Sequence, residues 1–356
     1  MTRPFVACHF ALVQDVAVLR PLARLAASLP GLDLRLIVSE KFIATDINGR
    51  WMAEIERLGA EVGVAPFLYQ TPFEAIRHLG DGRGMIVAGS ESMLAAHVAS
   101  HDLFRAVPGR IRTVTLQHGL ECVGFLHNAR HDAVAGRDVR FAADIAVAWF
   151  DMTRMESVSP AERAKMFVAG PSIMIDPSPP RRPAGGDLPG LICENLHSVR
   201  FVNGRMREGF LDSFLQFAGR LAMVDQSLAL RAHPAGRFTE RNAIALPANV
   251  QVSTAPLYDV ALGDFAYAIS APSTILFDFV LAGVPVATWV DPDGEVDTRH
   301  FDGLAQVSSV DDWWRFNWAA RWDRAALVER QDRYRDGLGI PADVRGRYLA
   351  LLSLAG

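Results

Sequence analysis

Three short stretches gather residue types that can do acid–base or phosphate chemistry, and each follows an apolar run. The first is Thr115-Leu116-Gln117-His118-Gly119-Leu120-Glu121. An imidazole titrates near neutral pH, so His118 can take a proton from a hydroxyl. Glu121 is the competing base, or the group that orients His118. Gly119 lets a substrate approach the backbone, and Gln117 adds an amide beside it. A histidine satisfied by loop carbonyls is the plainer alternative. The second stretch is Leu230-Arg231-Ala232-His233-Pro234. Arg231 and His233 share one face of an extended strand, and both can donate to a phosphate oxygen. Pro234 ends the strand. The third is Ile269-Ser270-Ala271-Pro272-Ser273-Thr274-Ile275-Leu276-Phe277-Asp278, where a strand turns straight into a helix. Pro272 suits the first helical position. Ser273 and Thr274 then lie in the first turn, where backbone N–H groups and the positive end of the helix dipole favour phosphate. Asp278 follows one turn later on the same side. Ser270 or Ser273 serving merely as N-cap is the alternative.

Such residues need a scaffold, and the rest of the chain predicts one. Phe5–Val13, Leu34–Val38, Met85–Ala88, Arg112–Leu116, Asp144–Ala148 and Met166–Ala169 read as strands. Val18–Leu29, Trp51–Leu58 (closed by Gly59) and Met93–Phe104 read as helices. The strands are nearly continuous in Val, Ile, Leu and Ala, as in a parallel sheet covered on both faces. Asp176–Gly190 breaks the rhythm with five prolines and three glycines and reads as a linker. The alternation resumes with strands Leu191–Cys193, Ser227–Ala232, Phe265–Ser270 and Pro285–Trp289, and helices Gly209–Leu221 and Thr274–Ala282. The expected fold is α/β, two Rossmann-like domains facing a cleft: residues 1–175, a linker 176–190, residues 191–310, and C-terminal helices 311–356 packing back across the domains. Ligands in such sheets bind beyond the carboxyl ends of the strands, where all three stretches fall.

Composition excludes several classes. The 356 residues are 50% hydrophobic, which rules out wholesale disorder. A formal net charge of −4 argues against a nucleic-acid binder. Cys8, Cys122 and Cys193 are widely spaced and apolar in context, so they read as buried thiols in a reducing compartment. No signal peptide or spanning segment is visible, and the expected localisation is cytoplasmic.

The three stretches, in this order, resemble the GT-B fold transferases of bacterial surface glycans: CDP-glycerol glycerophosphotransferases and the capsule or lipopolysaccharide sialyl- and Kdo-transferases. Gln117-His118-Gly119 looks like the His-Gly motif of the glycerophosphotransferases; His233-Pro234 looks like the His-Pro motif of both groups, and Ser273-Thr274 with Asp278 like their Ser-Ser/Thr pair and the acidic residue that follows it. The acidic-acidic-Gly motif of sialyltransferases finds a loose echo in Asp46-Ile47-Asn48-Gly49. The resemblance implies a metal-independent transferase that uses a CMP- or CDP-linked donor and needs no cofactor. The C-terminal domain would hold the nucleotide through Arg231, His233, Ser273 and Thr274. The N-terminal domain would hold a glycan or lipid-linked acceptor, with His118 as base. A sugar-nucleotide epimerase of similar fold and a non-catalytic glycan-binding protein are the competing readings.

Weaker signals complete the reading. Glu194, His197 and Arg200 follow the first strand of the second domain and are secondary candidates. Asp291-Pro292-Asp293 matches a metal pattern of a different transferase fold, and no metal is expected there. His97/His101 and His127/His131 have i,i+4 spacing and are expected on solvated faces. Trp314, Trp318 and Trp322 form a stripe flanked by Arg315, Arg321 and Arg324. Packing into a core is the expected reading, and peripheral membrane association the alternative.

Overall fold

The apolar runs become the central strands of two all-parallel sheets in a computed structural model of the chain, which describes residues 3–176, 187–198, 201, 204–233 and 236–356. β1 (Phe5–Phe10) is buried along its whole length, as a strand covered on both faces must be. With β2 (Asp33–Ser39), β3 (Pro66–Tyr69), β4 (Gly84–Ala88), β5 (Ile111–Leu116), β6 (Ile145–Ala148) and β7 (Met166–Val168) it forms a sheet of order β3-β2-β1-β4-β5-β6-β7. Phe5 of β1 stands opposite Asp33 of β2 on one side and Gly84 of β4 on the other. The connections carry α1 (Val13–Ala27), α2 (Glu40–Thr45), α3 (Arg50–Val62), α4 (Pro72–Leu79), α5 (Val98–Ala106) and α6 (Ala129–Ala135). α1 buries Val16, Leu19, Leu22, Ala23 and Ala26, a row at helical spacing. α3 runs past Gly59 and ends at Gly63, which adopts the left-handed conformation at φ +73°. Gly59 is needed for clearance instead, because a Cβ there would lie 2.5 Å from the Val64 carbonyl oxygen.

The second sheet repeats the plan. β8 (Gly190–Glu194), β9 (Leu228–Ala232), β10 (Val250–Ser253), β11 (Tyr267–Ser270), β12 (Val286–Trp289) and β13 (Ala305–Val307) lie in the order β10-β9-β8-β11-β12-β13. In both sheets the first strand sits beside the fourth, the reversal point of a Rossmann-like domain. α7 (Gly204–Ala222), α8 (Phe238–Arg241), α9 (Ile275–Ala282), α10 (Val310–Trp322) and α11 (Arg324–Asp336) belong to this unit. The Arg324 guanidinium donates to the Ala266 and Gly283 carbonyls, pinning α11 beneath the sheet. α12 (Val344–Leu352) belongs to the first unit, where the Tyr348 hydroxyl donates to the Gly170 carbonyl. The first unit therefore comprises the chain up to His127, Val134 onward to the connection, and Gly339–Gly356; the second takes Asn128–Ala133 and the chain up to Leu338. Most of the expected linker, residues 177–186, lies outside the described residues.

Of the tryptophan stripe, Trp314 packs against the core of the second unit, while Trp318 and Trp322 do not. α10 buries Trp313, Phe316, Asn317 and Ala320. The neighbouring row, rotated by about 100° on the helix, is left facing outward. Trp314 is half-buried, Trp318 is 39% exposed and Trp322 is 74% exposed. Their rings rest on one another instead, with centroids 6.0 and 6.2 Å apart. Among the described residues, no helix is long and apolar enough to cross a membrane.

Candidate active site

The second and third sequence stretches meet at the carboxyl edge of the second sheet. β8 lies between β9 and β11, so the loops after β9 and β11 flank its own loop, roughly 10 Å apart at normal strand spacing. The His233 N–H donates to the Glu194 carbonyl at 3.0 Å, and Asn195 Nδ2 donates to the Pro272 carbonyl at 2.9 Å. Both flanking loops are thus tied to the central one. No sequence signal marks Asn195 as a site residue, since its role depends on a partner far along the chain. Arg231 is buried, donates to the Ala255 carbonyl at 2.5 Å, and is near enough to Asp278 to pull its carboxyl down. Burial outweighs that pull and pushes Asp278 up to about 7. α9 starts at Ile275 with Thr274 as its N-cap, three residues later than expected, so Pro272 is not its first residue; the Ser273 and Thr274 carbonyls accept from the Leu276 and Phe277 N–H groups. Ser270 is not the cap: its hydroxyl donates to the Ala271 and Cys193 carbonyls. Ser273 and Thr274 are both partly exposed at this edge.

The His197 and His233 rings lie against each other, centroids 4.1 Å apart and planes tilted by 39°. Burial, with His197 and Arg231 adding repulsion, pushes His233 down to about 3. His197 is lowered as well, by burial and then Arg241. Both rings are neutral at pH 7 and would contact a phosphate by N–H donation rather than as cations. Glu194 is occupied otherwise. Its buried carboxylate accepts from the N–H groups of Phe238 and Thr239 and from the Thr239 hydroxyl, opening α8. Pro234 and Arg200 lie outside the described residues.

The first stretch lies at the carboxyl edge of the first sheet. Gln117 is a brace: its amide nitrogen donates to the Gly119 and Leu120 carbonyls, and its amide oxygen accepts from the Trp149 N–H. That holds the loop carrying His118 in place. His118 Nδ1 lies 3.0 Å from Ser90 Oγ and 3.3 Å from Cys122 Sγ. Burial pushes the Cys122 thiol up to about 12, so it stays protonated. Glu121 follows on the same loop and is partly buried. Ser90 comes from the loop after β4, and no local pattern marks it.

Three of the paired histidines, His97, His101 and His127, are not on solvated faces. His97 is buried, with Nδ1 2.7 Å from Ser92 Oγ, and its ring edge faces His118 at 6.3 Å. His101 Nδ1 lies 2.6 Å from the buried carboxylate of Glu91, which also accepts from the N–H groups of Ala142 and Ala143. His127 is buried too, its Nε2 accepting from the Gly124 N–H. The two remaining acidic motifs close turns. Asp46 accepts from the Trp51 and Met52 N–H groups at the start of α3, and Asp291 from those of Glu295 and Val296. Among the described residues, no group of three or more His, Cys, Asp and Glu side chains is placed to hold a metal ion.

These burials give stability a pH dependence whose sign can be worked out. Burial pushes His9, His97 and His233 down to about 3, 4 and 3. Near pH 5 an unfolded chain carries protons there and the folded chain does not, so these three make stability rise with pH. Asp15 and Asp278, raised to about 7, work in the opposite sense. His78 and His197 are lowered too, so the histidines outnumber the two carboxyls and stability should rise with pH between about 4.5 and 6. Urea titrations across that window should show it, and His97→Asn should make the slope shallower. A slope unchanged in His97→Asn would count against a neutral buried His97.

Both units thus have the Rossmann-like topology, and the chain has the two-domain GT-B fold. Solved structures of known proteins share this fold. A scan against family models finds no match, and a search of curated proteins finds none. Solved structures do match. Methanocaldococcus jannaschii UDP-GlcNAc 2-epimerase, in complex with UDP-GlcNAc and UDP, matches with TM-score 0.61 at 10% identity, over 99% of this chain and 100% of that one. The Staphylococcus aureus MnaA–UDP structure matches with TM-score 0.60 at 10% identity, over 92% and 91%. The spinosyn rhamnosyltransferase SpnG, complexed with thymidine diphosphate, matches with TM-score 0.55 at 11% identity, over 99% and 100%.

Proposed function

We propose that the chain is a metal-independent glycosyltransferase, or glycerophosphotransferase, that uses a cytidine-activated donor in bacterial surface-polysaccharide synthesis in the cytoplasm. The observation that carries the reading is the carboxyl edge of the second sheet, where Arg231, the adjacent rings of His197 and His233, and Ser273-Thr274 just ahead of α9 share one end. All of them offer donors to an anion, and the three matched structures include nucleotide complexes on the same fold. The cytidine choice rests on the resemblance of the three motifs.

In this reading the nucleotide phosphate sits against α9 and the acceptor in the first domain. The acceptor oxygen attacks the donor's anomeric carbon, or its phosphorus in the glycerophosphotransferase variant. The bond to the nucleotide phosphate breaks, its electron pair stays on that phosphate, and the hydroxyl proton goes to His118. Donors aimed at the departing phosphate stabilise its growing charge.

An epimerase is the second reading, because two of these three matched structures are UDP complexes and one of them carries that name. Incubating a donor with the protein alone separates the two: an isomerised sugar favours the epimerase. The primary test is a thermal-shift panel of CMP, CDP, UDP and GDP. At a hundredfold excess over Kd, a bound nucleotide adds about 2.7 kcal/mol, a shift of several degrees. CMP or CDP should stand out. UDP standing out would replace the donor class, and no response to any nucleotide would leave the non-catalytic glycan-binding reading.

A further inference from the structure

The connection after β4 sets a second imidazole beside the proposed base and leaves one of its nitrogens unspent. His97 is 9% exposed, and its ring stands perpendicular to that of His118 with centroids 6.3 Å apart. His97 Nδ1 is 2.7 Å from Ser92 Oγ. Ser92 is fully buried, and its oxygen already accepts from the Leu94 N–H at 3.3 Å. The hydroxyl has one proton to give, and among the described residues His97 Nδ1 is the acceptor it reaches. Were Nδ1 to carry hydrogen instead, that buried hydroxyl proton would face no acceptor, which is costly. Ser92 therefore donates, and the neutral ring carries its hydrogen on Nε2. Among the described residues Nε2 has no hydrogen-bond partner, and it is not sealed in the interior as His9 Nδ1 is. Burial, and then Lys41 and His101, push His97 down to about 4, so the ring is an uncharged donor at pH 7.

The side chains around the ring decide what it can hold. Met93 is 56% exposed and Val98 42%, and Ala95 and Ala96 between them are exposed too. No side chain from Met93 to Ala99 is charged at pH 7. The Lys41 ammonium donates to the Ala95 and Ala96 carbonyls at 3.2 and 2.9 Å, and the Glu91 carboxylate lies buried just ahead of the stretch. An anion would find the lysine engaged and a carboxylate close by. A sugar or polyol suits the place better. Its hydroxyl oxygen can accept from Nε2–H, and its C–H faces can cover the exposed methyl groups. We propose that His97 Nε2–H donates to a hydroxyl oxygen of an uncharged sugar or polyol, which makes His97 an acceptor-binding residue beside His118. This deepens the proposed function, in which the first domain holds the acceptor.

Methyl β-D-glucopyranoside and glycerol serve as probes, with inorganic phosphate as the anionic comparison. The full chain, with 15N-labelled histidine, is observed by long-range 1H–15N correlation at about pH 7.5. The His97 signals are assigned by their loss in His97→Asn or, should that variant not fold, in His97→Gln. The expected form is Nε2–H, and the Nε2 signal should move saturably with either probe. The His9 signals, from a buried ring bonded to Tyr69, should stay still. A ring in the Nδ1–H form overturns the proposal. So does an Nε2 signal that moves with neither probe, or with phosphate alone. In turnover with CMP- and CDP-linked donors and the glycoside as acceptor, His97→Asn should raise the acceptor KM about threefold to tenfold, the worth of one neutral hydrogen bond, with donor KM unchanged. His97→Gln, whose amide reaches toward the Nε2 position, should lose less. An acceptor KM unchanged in His97→Asn overturns the role. A wild-type protein whose Nε2 signal responds to the glycoside but that transfers nothing would refute the transferase reading and leave the sugar site standing.

Discussion

His118→Ala is expected to lose turnover by two to four orders of magnitude while keeping its nucleotide-induced thermal shift. A positioned base contributes about 10²–10⁴ in rate, equivalent to roughly 3–5 kcal/mol of barrier. Without it the attacking hydroxyl keeps its proton while its oxygen gains positive charge, and bulk water is a poor recipient. The fold should tolerate the change. The ring is only partly buried, and the loop is held separately by Gln117 through Gly119, Leu120 and Trp149. Nucleotide binding should survive because Arg231, His233, Ser273 and Thr274 belong to the second domain. Initial rates with donor and acceptor, taken alongside CMP and CDP melts, check both halves. A variant with wild-type turnover would remove His118 as base and turn attention to Glu121. Loss of the thermal shift with turnover would mean the histidine acts on the donor side.

How much of this is legible in the chain depends on burial. β1, β4, β5, β8 and β11 lie in sheet interiors and show as mostly apolar stretches. β3, β10 and β13, at sheet edges, escape such a reading, whereas the edge strand β7 is read from its apolar Met166–Ala169: β3 opens on a proline, β10 is half exposed, and β13 carries a polar Gln306 at its centre. α4 escapes with β3, though Thr71 caps it and Pro72 follows, a helix-start signal. His118, Arg231, His233, Ser273 and Thr274 stand out because each sits where an apolar run stops. What the chain does not show is their company. Ser90 is 28 residues from His118, Asn195 is 77 from Pro272, and each pair forms only when parallel strands bring separate loops to one edge. The i,i+4 histidines mislead for the converse reason. Spacing places two rings on one face of a helix, but what covers that face is decided by other elements.

α10 offers the sharpest case of that rule and the second large effect. Trp313→Ala should cost about 3–5 kcal/mol, a fall in Tm on the order of 10 °C for a domain of this size. Trp322→Ala, nine residues on in the same helix, should stay within about 0.5 kcal/mol. The two differ in what surrounds them. Trp313 is fully buried, its ring meeting those of Phe210 and Phe217 at 5.6 and 5.5 Å with interplanar angles of 68° and 66°. Removing it opens a cavity that the aromatic neighbours and the sheet above them are too rigid to close. Trp322 is 74% exposed and rests on Trp318 alone among the aromatic rings described. Trp313→Phe refines the test. The buried Trp313 Nε1 has no hydrogen-bond partner, so phenylalanine loses volume but also removes an unsatisfied donor. It should therefore cost clearly less than alanine. Equal melts for Trp313→Ala and Trp322→Ala would mean that the core of the second domain does not run through this face of α10.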